Sequence, residues 1–133
     1  MKLLFPFAPA MLIAGRIGLA SLFLLGGINK ILNYAATLDN MRGVGLEPAG
    51  VLLPLVIALE LGAGCLIAIG RWMAPLAALA LAGFTLAANL AFHDFWTMEG
   101  DRAALELSLF FKNISIAGAL LFLAGALSKE ASE

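Results

Sequence analysis

The sequence has few of the residues that most redox, metal and hydrolytic sites require. Its 133 residues include one cysteine, Cys65, and one histidine, His93. A single cysteine excludes an internal disulfide and a CxxC redox pair, and a single histidine excludes haem held by two histidines of one chain. Neither Ser108 nor Ser115 has a base at a recognisable catalytic spacing. The chain is therefore not expected to catalyse a reaction alone.

Metal ligands and charged residues are scarce as well. Carboxylates lie near His93 in sequence, but one imidazole without a nearby cysteine is a poor set for a transition metal, so we expect no metal site. Charged residues make up 13% of the chain, the formal net charge is -1 and the pI is near 5.8. This balance provides no basic surface for nucleic acid and no polybasic tract for anionic lipid.

What the sequence does contain is apolar surface. Hydrophobic residues make up 62% of the chain and the mean hydropathy is +1.00, which a soluble domain rarely shows. A membrane-spanning helix needs about 20 apolar residues, and such stretches occupy residues 9–32, 51–70, 72–92 and 104–127. The sequence predicts an all-α integral membrane four-helix bundle, one transmembrane domain over residues 1–133 with both termini on the same side.

Positive residues are divided almost evenly between the two predicted membrane faces. The side of the termini carries Lys2, Arg71 and Lys129, and the opposite side carries Lys30, Arg42 and Arg102. Arg71 lies in the shortest loop, where the positive-inside rule acts most directly. We therefore predict a multi-pass membrane protein with cytoplasmic termini.

Small and polar residues recur every three or four positions in each predicted helix, which places them on one helix face. These stripes are Arg16, Ala20, Phe23, Gly27 and Lys30; Glu60, Gly64 and Ile67; Ala78, Ala82, Thr85, Asn89 and His93; and Ser108, Lys112, Ser115 and Ala119. Lipid tails do not favour such faces, whereas contacts between membrane helices do. The sequence predicts that the stripes face one another.

Charged residues deep in the bilayer are costly and need partners. Glu60 lies about 14 Å from either end of its helix and Lys112 about 12 Å from the loop side, at 1.5 Å per residue. We therefore predict a buried cluster of Glu60, Lys112 and Arg16, while Lys30, at a helix end, is expected to extend to the interface. The cluster either fixes which helices are neighbours or forms a proton relay or the floor of a polar cavity.

The segment His93, Asp94, Phe95 and Trp96 closes the third apolar stretch. Aromatic rings collect at membrane interfaces, which is the simpler explanation of Phe95 and Trp96. His93, however, continues the inward stripe through Asn89, and Asp94 is a hydrogen-bond acceptor beside it. An imidazole, flat rings and an inward polar path suit a quinone head group or another small amphipathic ligand. They equally suit contact with a partner membrane protein.

The sequence resembles the DoxX family of small bacterial inner-membrane proteins over nearly its whole length. The resemblance is carried by "RIGLASLFLLGGINKI", by "LELGAGCLIAIGRWMAPLAALAL", and by "HDFW" followed by "LFFKNISIAGALL". The positions that match the family are Arg16, Lys30, Glu60, His93, Phe95, Trp96, Lys112 and Asn113. Asn113 and Lys30 thereby join His93 and its neighbours as candidate ligand-binding residues.

The resemblance implies a four-helix membrane bundle and a loose functional range. Some relatives resemble a membrane subunit of a thiosulfate:quinone oxidoreductase, and others associate with redox partners. Three hypotheses follow: a membrane anchor or quinone-facing subunit of a redox system without a redox cofactor of its own, a chaperone-like accessory of another membrane protein, and a small-molecule transporter acting as a homo-oligomer. The first requires a quinone ligand and a redox partner protein.

Overall fold

The computed structural model describes residues 6–130 and 132, and within them the chain is helical without strands. The helices are α1 (Ala8–Leu32), α2 (Tyr34–Gly43), α3 (Ala49–Ile69), α4 (Ala74–Phe92) and α5 (Gly100–Glu130), with a 3₁₀ turn at Phe95–Thr97. Of these, α1, α3, α4 and α5 are long and apolar enough to cross a membrane. The predicted all-α membrane bundle is confirmed. The side of the termini stays a prediction, and Lys2 lies outside the described residues.

Proline and glycine set the ends of the spanning helices. Pro9 and Pro75 lie in the first turns of α1 and α4, where a missing N–H is harmless. Gly70 ends α3 with φ +70°, and its N–H donates to the Leu66 carbonyl at 2.9 Å. This left-handed cap reverses the chain directly into α4.

The connector between the first two spans is not an irregular loop, because part of it forms helix α2. Met41 of α2 is buried against Ala49 and Leu53 at the start of α3, and Phe92 at the end of α4 packs beside them. This small apolar cluster holds α2 across one end of the bundle. The sequence signal was weak because only a few α2 residues are buried.

The spanning helices pack in the order α1, α3, α4, α5. Contacts are extensive between α1 and α3, between α3 and α4, and between α4 and α5, whereas α1 and α5 touch only sparsely. Alanines at 74, 77, 78 and 82 are buried in α4 and let its neighbours approach closely. Neighbouring helices therefore pack closely from α1 through α3 and α4 to α5, and the bundle is open between α1 and α5.

The predicted inward stripes are confirmed in three helices and wrong in the fourth. Residues of the stripes in α1, α3 and α4 form much of the buried core. In α5, however, the buried residues are Ala117, Leu120, Leu123, Ala124 and Leu127. The predicted stripe of Ser108, Lys112, Ser115 and Ala119 is exposed instead. Apolar side chains that fit the alanine-rich face of α4 determine the rotation of α5, and the polar positions lie on the outer side.

Two glycines allow α1 and α3 to pack closely. A Cβ atom on Gly27 would lie 2.7 Å from Leu61 Cδ2, and one on Gly64 would lie 3.0 Å from Leu24 Cδ2. Each glycine thus accommodates a leucine of the opposite helix, so the α1–α3 interface has no space for an added methyl group at Gly27.

We predict that Gly27→Ala lowers the free energy of unfolding by about 1–3 kcal/mol, because overpacking forces Leu61 and its helix to shift. Gly18→Ala on the same helix is the control, since a Cβ there meets nothing within 4 Å. Unfolding of both variants in mixed micelles, followed by circular dichroism, provides the comparison. Equal stability of the two variants would contradict the close packing.

Candidate functional site

A cavity of about 460 Å³ lies between α1, α3 and α4 at the end of the bundle covered by α2. Its wall is mostly apolar, and each of the five helices contributes one polar side chain. Those polar residues are Lys30, Thr37, Glu60, Thr85 and Asn113. We refer to this space as the central cavity. Its size and its few convergent polar groups are typical of small-molecule sites.

The strongest electrostatic feature of the central cavity is an ion pair between α1 and α3. Lys30 Nζ donates a hydrogen bond to Glu60 Oε1 at 3.0 Å and lies 2.8 Å from Oε2. The Glu60 side chain is 6% exposed and that of Lys30 26%. Glu60 Oε2 is buried, and its partner among the described residues is the Lys30 ammonium. Both carboxylate oxygens therefore contact Lys30, and both residues line the cavity.

Gly26 gives the Lys30–Glu60 pair its space. A Cβ atom on Gly26 would lie 3.2 Å from Glu60 Oε1 and 3.7 Å from Lys30 Nζ. The α1 backbone at Gly26 thus packs directly against the ion pair. A larger residue at this position would compete with the carboxylate for the same space.

An amide pair joins α4 to α5 across the cavity from Lys30. Asn113 Nδ2 donates to Asn89 Oδ1 at 3.1 Å, and Asn89 Nδ2 donates to the Phe110 carbonyl at 3.1 Å. Asn89 is 1% exposed and lies behind Asn113, which lines the cavity. Asn89 thus fixes the orientation of the Asn113 amide. Thr85, also in the wall, donates its hydroxyl to the Leu81 carbonyl at 2.7 Å.

The predicted cluster of Glu60, Lys112 and Arg16 is wrong, because the partner of Glu60 is Lys30. Lys112 lies at a depth similar to that of Glu60, but depth along a helix does not determine the side to which a residue points. The Lys112 side chain is exposed on the outer face of α5. Arg16 lies near the opposite end of the bundle, against Gly70. The prediction that Lys30 extends to the interface is also wrong, since Lys30 points at Glu60 beneath α2.

His93, Asp94, Phe95 and Trp96 lie together but do not line the central cavity. His93 Nδ1 is 2.6 Å from Glu106 Oε2 on α5. Phe95 and Trp96 make edge-to-face contacts with Phe110, at centroid distances of 5.3 and 5.9 Å. Asp94 accepts a hydrogen bond from Thr97 within the turn. These contacts fasten the α4–α5 turn to α5, and the ligand-binding role predicted for the segment stays a prediction.

Glu106 and Phe110 are residues that the sequence analysis missed. Glu106, Phe110, Asn113 and Ala117 recur every three or four positions, so they share one face of α5. That spacing could have predicted a second polar face of α5. The neighbouring face with Ser108, Lys112 and Ser115 has more hydroxyl and charged residues and is therefore the more conspicuous pattern.

Comparison with known proteins agrees with this architecture. The family model for DoxX matches residues 11–94. The chain is 32% identical to the inner membrane protein YphA of Escherichia coli strain K12 over 87% of this chain and 82% of that protein. It is 38% identical to the inner membrane protein YqjF of the same organism over 84% of this chain and 80% of that protein. No solved structure matches significantly.

The predicted family is thereby confirmed. Matching inner-membrane relatives and spanning helices identify a multi-pass inner-membrane protein. The family model includes Lys30 and Glu60 and ends at Asp94. It thus covers every α1 and α3 residue of the central cavity but not Asn113.

We predict that Lys30→Met lowers the free energy of unfolding by about 3 kcal/mol, because it leaves the Glu60 carboxylate buried without its cation. Lys112→Met is the matched control: it removes the same charge from an exposed position in another spanning helix and should have little effect. Denaturant titration in mixed micelles measures both. A similar loss in the two variants would show that the Lys30–Glu60 pair is not specifically buried.

Proposed function

This chain belongs to the DoxX family, and we propose that it binds a quinone in the central cavity as the membrane subunit of a redox system. The observation that supports this function is the Lys30–Glu60 pair at the wall of a mostly apolar cavity between the spanning helices. A quinone has an apolar isoprenoid tail and a flat head with two carbonyl oxygens. Such a ligand matches an apolar space with a few convergent polar groups.

The residues of the central cavity have complementary roles toward a quinone head. Lys30 is a cationic donor that can bind a carbonyl oxygen, and charge-assisted hydrogen bonds are among the stronger ones. Glu60, also in the cavity wall, is a carboxylate that can accept a hydrogen bond from a hydroxyl of the reduced ligand. Phe84 and Phe92 provide flat apolar wall beside the head group. The site therefore has groups for both forms of the ligand.

Proton transfer is the chemical contribution that this chain can make. Reduction of a quinone to a hydroquinone consumes two electrons and two protons, and oxidation releases them. Glu60 is positioned at the cavity wall to donate or accept a proton. The sequence has no CxxC motif and a single histidine. We therefore assign the electron-transferring centre to a partner protein and the quinone site to this chain.

We predict that Lys30→Met weakens binding of a benzoquinone with a ten-carbon tail, and that Glu60→Gln weakens binding of the corresponding hydroquinone, each by about tenfold or more, as expected for loss of one charge-assisted hydrogen bond. Lys112→Met should bind as the wild type does. Purified protein in nanodiscs of synthetic phospholipid provides the assay, with bound quinone quantified after rapid removal of free ligand.

Stability must be separated from binding in this assay. Glu60→Gln keeps the shape of the side chain, and its folding is checked by circular dichroism before quinone is added. Phe92→Ala, which enlarges the cavity without altering the Lys30–Glu60 pair, should also weaken binding. Saturable binding that is unchanged in folded Lys30→Met and Glu60→Gln would reject the central cavity as the quinone site.

An accessory role toward another membrane protein is a second candidate, supported by the outer face of α5. Ser108, Lys112 and Ser115 are exposed on this face, within a helix apolar enough to cross the membrane. A lysine exposed at this depth is costly in lipid, and a helix that brings a carboxylate or hydroxyl to Lys112 would remove that cost. This role and quinone binding use different surfaces.

We predict that a photocrosslinker at Ser115 captures one membrane protein in intact cells and that Lys112→Met abolishes the adduct. The same crosslinker at Leu121, another exposed position of α5, is the control and should give no such adduct. Mass spectrometry identifies what is captured. Adducts with lipid alone would reject the accessory role, and adducts between copies of this chain would show that the face forms a homo-oligomer.

A further inference from the structure

We propose that the groove between α1 and α5 is a binding site for one anionic phospholipid, with its phosphate on Arg16. This groove has a volume of about 550 Å³ and lies on the side of the bundle where α1 and α5 touch only sparsely. It is separate from the central cavity, so the proposal stands independently of quinone binding. We refer to it as the Arg16 groove.

Among the described residues that line the groove, Arg16 is the only ionisable one. The other lining residues are alanine, glycine or larger apolar residues, including Leu12, Leu19, Phe122 and Leu123. Among residues 6–130 and 132, the buried Arg16 Nε has no hydrogen-bond partner, and no carboxylate forms an ion pair with the guanidinium. A guanidinium surrounded by the apolar side chains of this groove would be stabilised by a bound anion.

The guanidinium lies at a level that suits a lipid head group. Although Arg16 Cα is about 12 Å along α1 from Ala8, its side chain extends to the end of α3, where any side chain on Gly70 would overlap it. Gly70 is followed by Arg71 and by Trp72, which is 82% exposed. An exposed tryptophan at a helix end is typical of the membrane interface. Arg16 therefore reaches the layer in which phosphates lie.

Below that layer the groove provides a path for an acyl chain. Leu19 and Ala119 line it toward the membrane interior, and Phe122 and Leu123 form its α5 wall. A phospholipid combines the two required parts, a phosphate for the guanidinium and a chain for the apolar walls. The site does not depend on a polybasic surface, because a single arginine acts within a shaped groove.

A net negative head group is favoured by the surrounding charges. Two cations are exposed near this end of the bundle: Arg71 in the turn beside Gly70 and Lys129 in the last turn of α5. The carboxylate described in that last turn is Glu130, so positive charge exceeds negative charge there. We therefore assign phosphatidylglycerol, rather than a zwitterionic lipid, as the preferred class.

The test uses the full chain, delipidated in detergent and mixed with phosphatidylglycerol or with phosphatidylethanolamine of the same acyl chains. Native mass spectrometry then counts bound lipids. One phosphatidylglycerol should be retained per chain at concentrations where phosphatidylethanolamine is not. Arg16→Gln should weaken this binding by about tenfold or more, as for loss of a charge-assisted hydrogen bond. Arg102→Gln, near the opposite end of the bundle, is the control and should leave it unchanged.

A second variant makes the outcome independent of any effect of Arg16 on folding. Ala119→Trp fills the groove from α5 while retaining Arg16, and it should also abolish retention of the lipid. Undiminished phosphatidylglycerol binding in folded Arg16→Gln and Ala119→Trp would overturn the proposal. Equal retention of the two lipids would overturn the preference for an anionic head group, and a disulfide formed between copies of Leu12→Cys would assign the groove to a second chain.

Discussion

The Lys30–Glu60 ion pair is the interaction on which the rest of the structure depends. It joins the end of α1 to the middle of α3, where the Glu60 side chain is only 6% exposed and its charge needs a cationic partner. Gly26 leaves space for the carboxylate, and the adjacent Gly27 lets α3 approach closely. Without the pair, an isolated charge would remain in an apolar bundle, so the α1–α3 contact and the ion pair require each other.

The ion pair also explains the shape of the cavity end. Because α1 and α3 are held together at Lys30 and Glu60, and α4 and α5 are joined by Asn89 and Asn113, the space between these pairs is bounded by polar groups on both sides. Helix α2 covers it through Met41. At the opposite end no polar pair of described residues joins α1 to α5, and the Arg16 groove lies between them there. One bundle thus has two ligand-sized spaces of different electrostatic character.

Much of the fold could be predicted from the sequence, because length and apolarity determine a membrane span and small-residue spacing determines the faces of α1, α3 and α4. The candidate site was harder to predict from the sequence. Residue counting gave the depth of Lys112 but not its direction around α5, and in lipid a polar stripe need not face inward. A lysine at the end of a helix is typical of the membrane interface. Helix α2 covers Lys30, however, and its position depends on tertiary contacts of Met41 with Ala49, Leu53 and Phe92.

A double-mutant cycle between Lys30→Met and Glu60→Gln tests the importance of the ion pair most directly. The free energies of unfolding of the wild type, the two single variants and the double variant are measured in the same mixed micelles. A direct ion pair in a bundle interior predicts a coupling energy of about 1–3 kcal/mol, with the double variant more stable than the sum of the single losses implies. Strictly additive losses would show that Lys30 and Glu60 act separately and would contradict the account.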